Sequence, residues 1–567
     1  MPINLSTPYT ENVARQFASF FDNKWQPYLF LLWQGLQEGH ICISKEEIQS
    51  EDIKALYPGF NFETVDEKDF ISDGSLIKPI VELNGKLYLQ RYFAYETIIV
   101  DKVKELISTS TSEITMDEPF VENNEVNWQR IAAAACLRSD FTIITGGPGT
   151  GKTTTVASIL SLLLTRNPDY KVALAAPTGK AAARMAESLI ERAAGFKGME
   201  ALFLKMEPST IHRLLGNIKD SVNFKYNAAN PLNYDIIIID ESSMIDVALF
   251  AKLLDAIKSG TKLILLGDKN QLASVEAGSL FGDLCSVPQN LNVFSSDFLR
   301  SLRLPKEQEK MFTIASKPGL LADHIVELQK SYRFSSDQGI GKLSKIVIEE
   351  DEKGLDEFIG ENDGIVEIDL TYDEKQFEDF VFKFKMFLEE PDIATALKKM
   401  NDCRVLCALR EGKFGFYEIN RRVEDILESK KIIRRTGEFY LNRPVMITQN
   451  NYALGLFNGD TGIVRKDKEG NPKVWFEING ELTGFAPALI SNADTSFALT
   501  IHKSQGSEFK EVMIILPDYE VPVLTKELVY TAITRAKQHV LLQANEQVLR
   551  GAIKKSVKRG SGLKDRF

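Results

Sequence analysis

The sequence predicts an α/β fold with two parallel-sheet units, a small α-rich N-terminal region and an inserted β-barrel, and three observations carry this. The stretch FTIITGGPGTGKTTTV, residues 141–156, passes from an apolar β-branched run through a glycine-rich turn into a helix-forming segment near Lys152. That is the strand, loop, helix order of a P-loop. In DIIIIDESSMID four consecutive isoleucines, Ile236 to Ile239, mark a parallel strand covered on both faces. From about Gly339 a second strand and helix alternation begins, with a strand at RVLCAL and a helix from Tyr417 to Ser429, and without a P-loop of its own.

Composition sets the bounds. A chain of 567 residues, 44% hydrophobic and 26% charged, divides into three or four domains with several cores. No apolar run approaches a membrane span, and the N-terminus lacks the succession of a signal peptide. Five scattered cysteines add to the expectation of a reducing cytoplasm. Cys403 and Cys407 raise the thought of a metal, but they flank a strand-like RVL with no second pair, which favours buried thiols. With a net charge of −11, any nucleic acid must be bound by a local groove rather than by the global field.

Residues 1–110 form the expected N-terminal domain. Apolar residues at helical spacing (Val13, Phe17, Phe20, Phe21) lead to a strand pair at VELNGKLYLQRY with Asn84 and Gly85 as its turn. The aromatic density around Phe17, Phe20, Phe21, Trp25, Tyr28, Phe30 and Trp33 reads as a core, with a protein-docking surface as the alternative. An acidic linker, Thr111 to Glu125, precedes the helix NWQRIAAAACL. There Gln129 is a candidate for reading an adenine edge, because an amide both donates and accepts; a plain helix-surface glutamine is the competing reading.

In the P-loop, glycines free the backbone so that successive N–H groups point at phosphate oxygens at a helix N-terminus. The nucleotide-binding candidates are Gly147, Pro148, Gly149, Thr150, Gly151, Lys152, Thr153 and Thr154. Lys152 supplies a charge to the β and γ phosphates of ATP, and the Thr153 hydroxyl is placed to ligate Mg²⁺. In KVALAAPTGKAAARM, Pro177 and Thr178 lie at a strand's C-terminal end, where open α/β sheets bind ligands, with Lys180 and Arg184 following; a phosphate contact and a plain helix start both fit. His212 then precedes a segment, about 216–230, whose alternation of Val222, Phe224 and Tyr226 about a Lys-Asp-Ser turn suggests a projecting β-hairpin.

Where the isoleucine strand emerges, Asp240 is placed to hold a Mg²⁺-bound water and Glu241 to orient or deprotonate the attacking water. Gln271, after the next strand, is a neutral side chain able to touch both γ-phosphate and water. Arg333 in LQKSYRF is an arginine-finger candidate, since an always-charged planar donor suits developing phosphoryl charge. Short strands and Asn-Gly turns over about 437–496, at Asn458-Gly459 and Asn479-Gly480, suggest the inserted barrel. Thr500, His502 and Ser504 form a polar cluster before Gly506, for which a DNA or inter-unit contact is more plausible than catalysis. Arg535 follows on a helix with Tyr530 and Thr534.

Taken in order, GGPGTGKTTTV, APTGKAAARM, IIDESSMID, LLGDKNQLASVEAG, SYRF, ALTIHKSQGSEF and ELVYTAITRAK resemble the RecD branch of superfamily 1 helicases, and EGHICI, LCALREGKFGFYEIN and RGSGL extend the resemblance over nearly the whole chain. The resemblance implies two RecA-like motor domains, residues 111–335 and 336–567, closing on ATP and Mg²⁺, with single-stranded DNA across their top and an SH3-like identity for the insertion. It implies that Gln129 meets adenine, Asp240 and Glu241 serve metal and water, Gln271 couples, Arg333 and Arg535 stabilise the γ-phosphate, and the segment near Phe224 is a pin at the duplex junction. It further implies 5′ to 3′ movement in recombinational repair, a single-stranded tail and duplex end as DNA partners, and RecB-like and RecC-like subunits, the latter docking on the N-terminal region. A stand-alone 5′ to 3′ helicase is the runner-up, a regulatory ATP-binding scaffold stands third, and any nuclease is expected in another subunit. Phe414, Phe416, Tyr452 and Phe457 read first as ordinary packing, with base contacts as the alternative.

Overall fold

The computed structural model describes residues 8–23, 25–48, 71–75, 77–108, 114, 116, 119–193, 206–219, 221–361, 363–451, 453–478, 480–557 and 559–567. Tyr452, Asn479, Asp220 of the expected turn and part of the acidic linker lie outside them. No described helix is long and apolar enough to cross a membrane.

Helices α1 (Pro8–Ala18) and α2 (Gln26–Gln37) cover a small sheet of β1 (Cys42–Ser44), β2 (Ile71–Ser72), β3 (Ile80–Leu83) and β4 (Lys86–Leu89), ordered β1-β4-β3-β2. Asn84 and Gly85 both take positive φ, 52° and 72°, as a two-residue hairpin turn between β3 and β4 requires. Trp25, Tyr28 and Phe30 are buried in this unit's own core, and Phe17, Phe21 and Trp33 are half-buried against it. The aromatic run is thus a core, as first read: its rings pack with Leu29, Leu31, Leu32, Ile43 and Leu87, and of the run Phe20, 77% exposed, is left to solvent. The next helix, α3 (Gln90–Ser108), turns Ile99, Val100, Val103 and Leu106 into the core of the first large sheet, so that core reaches back before residue 111.

The first large sheet is built from β5 (Phe141–Gly146), β6 (Val172–Ala176), β7 (Ser209–Thr210), β8 (Ile236–Ile239), β9 (Lys262–Gly267) and β10 (Ile325–Leu328). All its ladders are parallel, in the order β10-β5-β9-β8-β6-β7. The isoleucine strand shows why both faces are apolar. Ile237 and Ile239 enter the layer shared with α3 and with α8 (Val247–Asp255), while Ile236 and Ile238 enter the layer of α4 (Trp128–Arg138) and α5 (Lys152–Arg166). Connections run through α6 (Gly179–Ala193) and α7 (Ile211–Leu215).

After α9 (Leu280–Cys285) and the last strand of that sheet, α10 (Gly339–Glu349) opens the second unit. Its parallel sheet comprises β11 (Val366–Asp369), β12 (Cys403–Cys407), β18 (Ala498–Thr500), β19 (Phe509–Ile515) and β20 (Ala536–Gln543), ordered β11-β20-β19-β12-β18. Cys403 and Cys407 end β12 as buried free thiols, and Phe414 and Phe416 pack under α11 (Phe416–Ser429) in the same core, the ordinary packing preferred for them over base contacts.

Between β12 and β18 an antiparallel sheet is inserted: β13 (Pro444–Ile447), β14 (Thr461–Lys466), β15 (Pro472–Ile478), β16 (Glu481–Phe485) and β17 (Ala493–Thr495), ordered β16-β15-β14-β13-β17. Among the described residues no ladder joins β16 to β17, so the expected barrel is seen as a five-stranded sheet around its own small core.

After α12 (Lys526–Ile533) and α13 (Glu546–Lys554) the chain leaves the second unit and runs back to the first. Ile41 donates its backbone N–H to the Gly560 carbonyl, the Gly562 N–H is donated to buried Glu96, and Leu563 enters the core that α3 shares with the first sheet. The tail is thus a strap across the molecule.

Leu563 is fully buried, whereas Leu482 on the insertion is 41% exposed. Leu563→Ala should therefore destabilise the first unit by about 2–5 kcal/mol and loosen the tail to proteolysis. Leu482→Ala should change stability by about 0.5 kcal/mol or less. Thermal melting with limited proteolysis of both variants checks the pair, and equal effects would mean the tail is not part of that core.

Candidate nucleotide cleft and inter-unit contacts

The P-loop lies where β5 ends and α5 begins. Gly149 and Gly151 take φ of 77° and 83°, and a Cβ on them would stand 2.3 Å from the Arg333 Cβ and 2.2 Å from the Gln129 Nε2. Glycine is required at both for conformation, and at Gly149 also for room, since the Arg333 Cβ cannot yield as the end of the Gln129 side chain can. Gly151 caps α5 without a side-chain hydrogen bond, so the helix's first N–H groups face the loop with their positive end of the dipole. Lys152 Nζ donates to the Gly146 and Gly147 carbonyls at 2.6 and 3.2 Å, and the Thr150 hydroxyl donates to the Gly147 carbonyl at 2.8 Å. Gln129 Nε2 donates to the Thr150 carbonyl at 3.1 Å, so this glutamine braces the loop from its edge.

Asp240 and Glu241 follow β8. Glu241 sits in the left-handed region, φ 52°, and donates its N–H to Asp240 Oδ1 at 2.8 Å. Such backbone in a non-glycine residue costs roughly 1 kcal/mol or more. Burial first, and the Glu241 charge second, raises the Asp240 carboxyl above its ordinary range, against the pull of Lys152. A compact positive partner would reverse that balance.

A cavity of about 780 Å³ joins these groups to the second unit; Gln129, Lys152, Thr153, Glu241, Arg333 and Arg535 all border it. Pro148, Gly149, Gly151, Thr154, Asp240 and Gln271 border it too, while Gly147 and Thr150 stand behind as loop backbone. Arg535, on the turn after α12, is only 3% exposed. Its Nη2 donates to Gln271 Oε1 at 2.6 Å, its Nη1 to the Ser507 carbonyl and its Nε to the Thr531 carbonyl, both at 3.2 Å. Gln271 Nε2 in turn donates to Asp268 Oδ2 at 3.2 Å, to which the Tyr530 hydroxyl donates at 2.9 Å. Beside them Leu272 inserts into the second unit's core, its N–H held by the Thr531 hydroxyl and its carbonyl by Gln505.

Glu508 was missed in the sequence, and it is the centre of the charge arrangement. Its Oε1 receives Arg333 at 2.8 Å, and its Oε2 pairs with Arg184 at 2.7 Å and Lys537 at 3.2 Å. Burial alone would raise its carboxyl, but Arg184, Arg333 and Lys537 outweigh that and hold it at about 2. Tyr332, also missed as a site residue, is 68% exposed at the cavity mouth. An acidic residue in a motif rich in hydroxyls and an exposed tyrosine before an arginine carry no signal of their own in a single sequence.

The proposed DNA contacts are distributed unevenly. Thr178 is half-buried and its hydroxyl accepts the Ala181 N–H, capping α6, with Pro177 before it at the end of β6. His212 is exposed and its ring meets Phe224 edge to face at 5.7 Å. The segment holding Phe224 makes isolated bridges, Asn217 to Phe224 and Asn227 to Asn230, instead of two strands. Phe224 and Tyr226 lean on the first unit's core and leave Val222 outward, which corrects the regular projecting hairpin: two of its three alternating side chains find a core to cover. Thr500 is buried and accepts the Lys503 N–H, and Ser504 is fully buried with its hydroxyl donated to the Ile501 carbonyl. Ser504 therefore shapes the turn and has no face for a strand; His502 remains half-exposed on it. Phe457, on the insertion, lies 3.7 Å from where a Gly179 Cβ would stand, under the Arg213 guanidinium at 4.5 Å.

Residues 129–277 match the AAA domain family and residues 495–543 the UvrD-like helicase C-terminal domain family. The chain is 36% identical over 532 residues to the RecBCD enzyme subunit RecD of Haemophilus influenzae, covering 86% of this chain and 81% of that protein. To the RecBCD enzyme subunit RecD of Mycolicibacterium smegmatis it is 35% identical over 509 residues, covering 86% and 84%. The ATP-dependent RecD2 DNA helicase of Deinococcus radiodurans is 27% identical over 461 residues, with 80% of this chain but 54% of that protein covered.

The Glu508 cluster gives a pH dependence with a definite sign. Its folded value, about 2, lies below the ordinary 4.5, so the stabilisation is complete above pH 4.5 and is lost as pH falls from there towards 2. The swing is on the order of 3 kcal/mol. Glu508→Gln should flatten the acid limb of the thermal midpoint in that window and leave the slope above it alone; an acid limb identical to the parent's would mean that the pairs contribute nothing net.

Proposed function

The chain belongs to the RecD family, and from that premise we propose that it works as the 5′ to 3′ motor of a RecBCD-type helicase–nuclease acting on double-strand DNA ends in recombinational repair. It is an ATP-dependent DNA helicase. The single observation that supports the mechanism best is the meeting of both units at one cavity: Lys152, Glu241, Gln271 and Arg333 from the first unit face Arg535 and Glu508 of the second across it.

The residues fit ATP and Mg²⁺. Gly149, Gly151 and the uncapped start of α5 form an anion cradle, and Lys152 has only two carbonyls to leave. Thr153 and Asp240 offer the hard oxygen donors that Mg²⁺ takes, and the ion bound there would neutralise phosphate charge. Glu241 is placed to orient the attacking water and accept its proton. Arg333 and Arg535 would stabilise charge developing on the γ-phosphate, and Gln271, already bonded to Arg535, would exchange that bond for the phosphate. Tyr332 and Gln129, at the mouth, offer a ring face and an amide to the base.

Movement follows from that exchange. When Arg535 and Arg333 are drawn to phosphate the units close, and after hydrolysis the Gln271 and Glu508 contacts return. Thr178, His212, Phe224 and His502 are the proposed contacts of single-stranded DNA, with the segment around Phe224 as the proposed pin and the antiparallel insertion as an SH3-like module. Grip on phosphates and stacked bases would be tolerant of sequence and weakened by salt. RecB-like and RecC-like subunits are the proposed partners, and any DNA cleavage would fall to another subunit. Its 36% and 35% identity to the RecD subunits, against 27% to the RecD2 helicase, favours the assembly subunit over the stand-alone reading.

ATP hydrolysis by the full chain, with and without single-stranded DNA, tests the motor. DNA should stimulate turnover strongly, less so at high salt, and Lys152→Gln should abolish it. Arg333→Ala and Arg535→Ala should each lower kcat by about 10³ with a smaller change in KM. A folded chain with no DNA-dependent turnover, alone or with RecB-like and RecC-like subunits, would overturn the reading, and strand displacement from a 3′ tail only would overturn the polarity.

A further inference from the structure

Three consecutive residues of the second unit each hold an arginine. The Gly506 carbonyl accepts Arg184 Nη1 at 2.8 Å, the Ser507 carbonyl accepts Arg535 at 3.2 Å, and the Glu508 carboxylate binds Arg333 and Arg184 together. Both oxygens of Glu508 are occupied, one by Arg333 and the other by Arg184 and Lys537. Arg184 is on α6 of the first unit and Arg333 leaves the first sheet just after β10, so the carboxylate reaches across the cleft to both.

Arg333 also stands against the phosphate cradle. Its Cβ is 2.3 Å from the position of a Cβ on Gly149, and Tyr332 donates its N–H to the Gly149 carbonyl at 2.8 Å. With its anchor fixed there, the guanidinium on Glu508 is tethered beside the cradle, and its fork can engage only one anion fully at a time, the carboxylate or a phosphate. Immediately upstream of Gly506, the segment that carries Thr500 and His502 makes a single 3₁₀ turn at 502–504 and closes on α6, where Gly506 lies 3.6 Å from the Ala181 Cβ as a Cβ would measure it. A displacement of this segment carries all three acceptors with it.

We propose that Glu508 is a positioning residue that ties occupancy of the DNA face to the nucleotide cleft, holding Arg333 and Arg184 off the phosphates until the 500–508 segment shifts. This rests on the reading of that segment as a DNA contact. In it the strand, by moving the 500–508 turn, weakens the carboxylate's hold, and the arginines pass to the γ-phosphate, whose larger charge then keeps them. Arg184 thereby becomes a second partner of the phosphates besides Arg333. A carboxylate that only staples the two units would behave differently, because its loss would lower turnover under every condition.

The test is steady-state ATP hydrolysis by the full chain and by Glu508→Gln, with oligo-deoxythymidine as the single-stranded DNA and with none. Glu508→Gln should raise the DNA-independent rate by about fivefold or more, lower KM for ATP without DNA, and leave the DNA-stimulated kcat within about twofold, so that the stimulation ratio collapses. A parallel fall in both rates, or an unchanged basal rate in a variant that is folded at the assay temperature, overturns the role of Glu508 alone. A parent chain that DNA does not stimulate overturns the DNA reading and this role with it. Glu508→Asp guards against a folding failure of the amide variant: it keeps the charge but is one methylene shorter, and should give a basal rate between the two. A basal rate for Glu508→Asp equal to the parent's counts against the proposal.

Discussion

A buried guanidinium must be given acceptors, and the way Arg535 receives them organises the cleft. Two of its partners, the Thr531 and Ser507 carbonyls, belong to its own unit, and the third, Gln271 Oε1, comes from the other. Separating the units without a replacement would strand a charged donor out of water, at a cost of several kcal/mol. The only groups able to replace Gln271 at that place are water or an anion. An oxygen of a phosphate in the adjoining cavity would satisfy the guanidinium, so in the proposed cycle the bond that holds the units together is the one a nucleotide would exchange. Asp268 and Tyr530 extend this across the interface, since the buried carboxylate needs both the Gln271 amide and the Tyr530 hydroxyl.

Why the cleft falls here follows from the sheets. Both large sheets are parallel, so every strand ends on the same side and the loops carrying Gly147 to Thr153, Asp240 and Gln271 gather at one edge. The second sheet brings its own edge against this one, with Leu272 buried in the second unit's core as a wedge whose backbone is held at both its donor and its acceptor. A wedge fixed in that manner transmits a shift of either unit to the other, because a packed core does not deform by small amounts. The terminal strap joins a third part: the tail that leaves the second unit ends beside β1 and α3, so the small N-terminal unit is tied to both ends of the motor.

Much of this was legible along the chain. The P-loop glycines, the isoleucine strand, the acidic pair after it and the Asn84-Gly85 turn are local rules, in which a backbone conformation or a period demands a residue type whatever surrounds it. The N-terminal aromatic run was legible as a core by its density and not by such a local rule. Trp25, Tyr28 and Phe30 have the same composition whether they face a partner or each other, and only the small sheet beneath them decides for the core. Phe224 and Tyr226 alternate as a projecting hairpin would, yet a nearby apolar face captured both. Ser504 reads as an exposed hydroxyl, and the tight 3₁₀ turn took it inside.

By itself the sequence determined the class of fold, the nucleotide loop, the carboxylates and the arginines, because each obeys a short-range constraint of stereochemistry or of charge that fits in a dozen residues. The tertiary structure alone decided which charges meet. Arg184, Arg333 and Lys537 are separated by up to hundreds of residues, 184 to 537, and nothing local in any of them specifies Glu508 as their common partner. Ion pairing has no sequence period: it depends on distance in space, and that distance exists only once two sheets have buried their faces and brought their strand ends together.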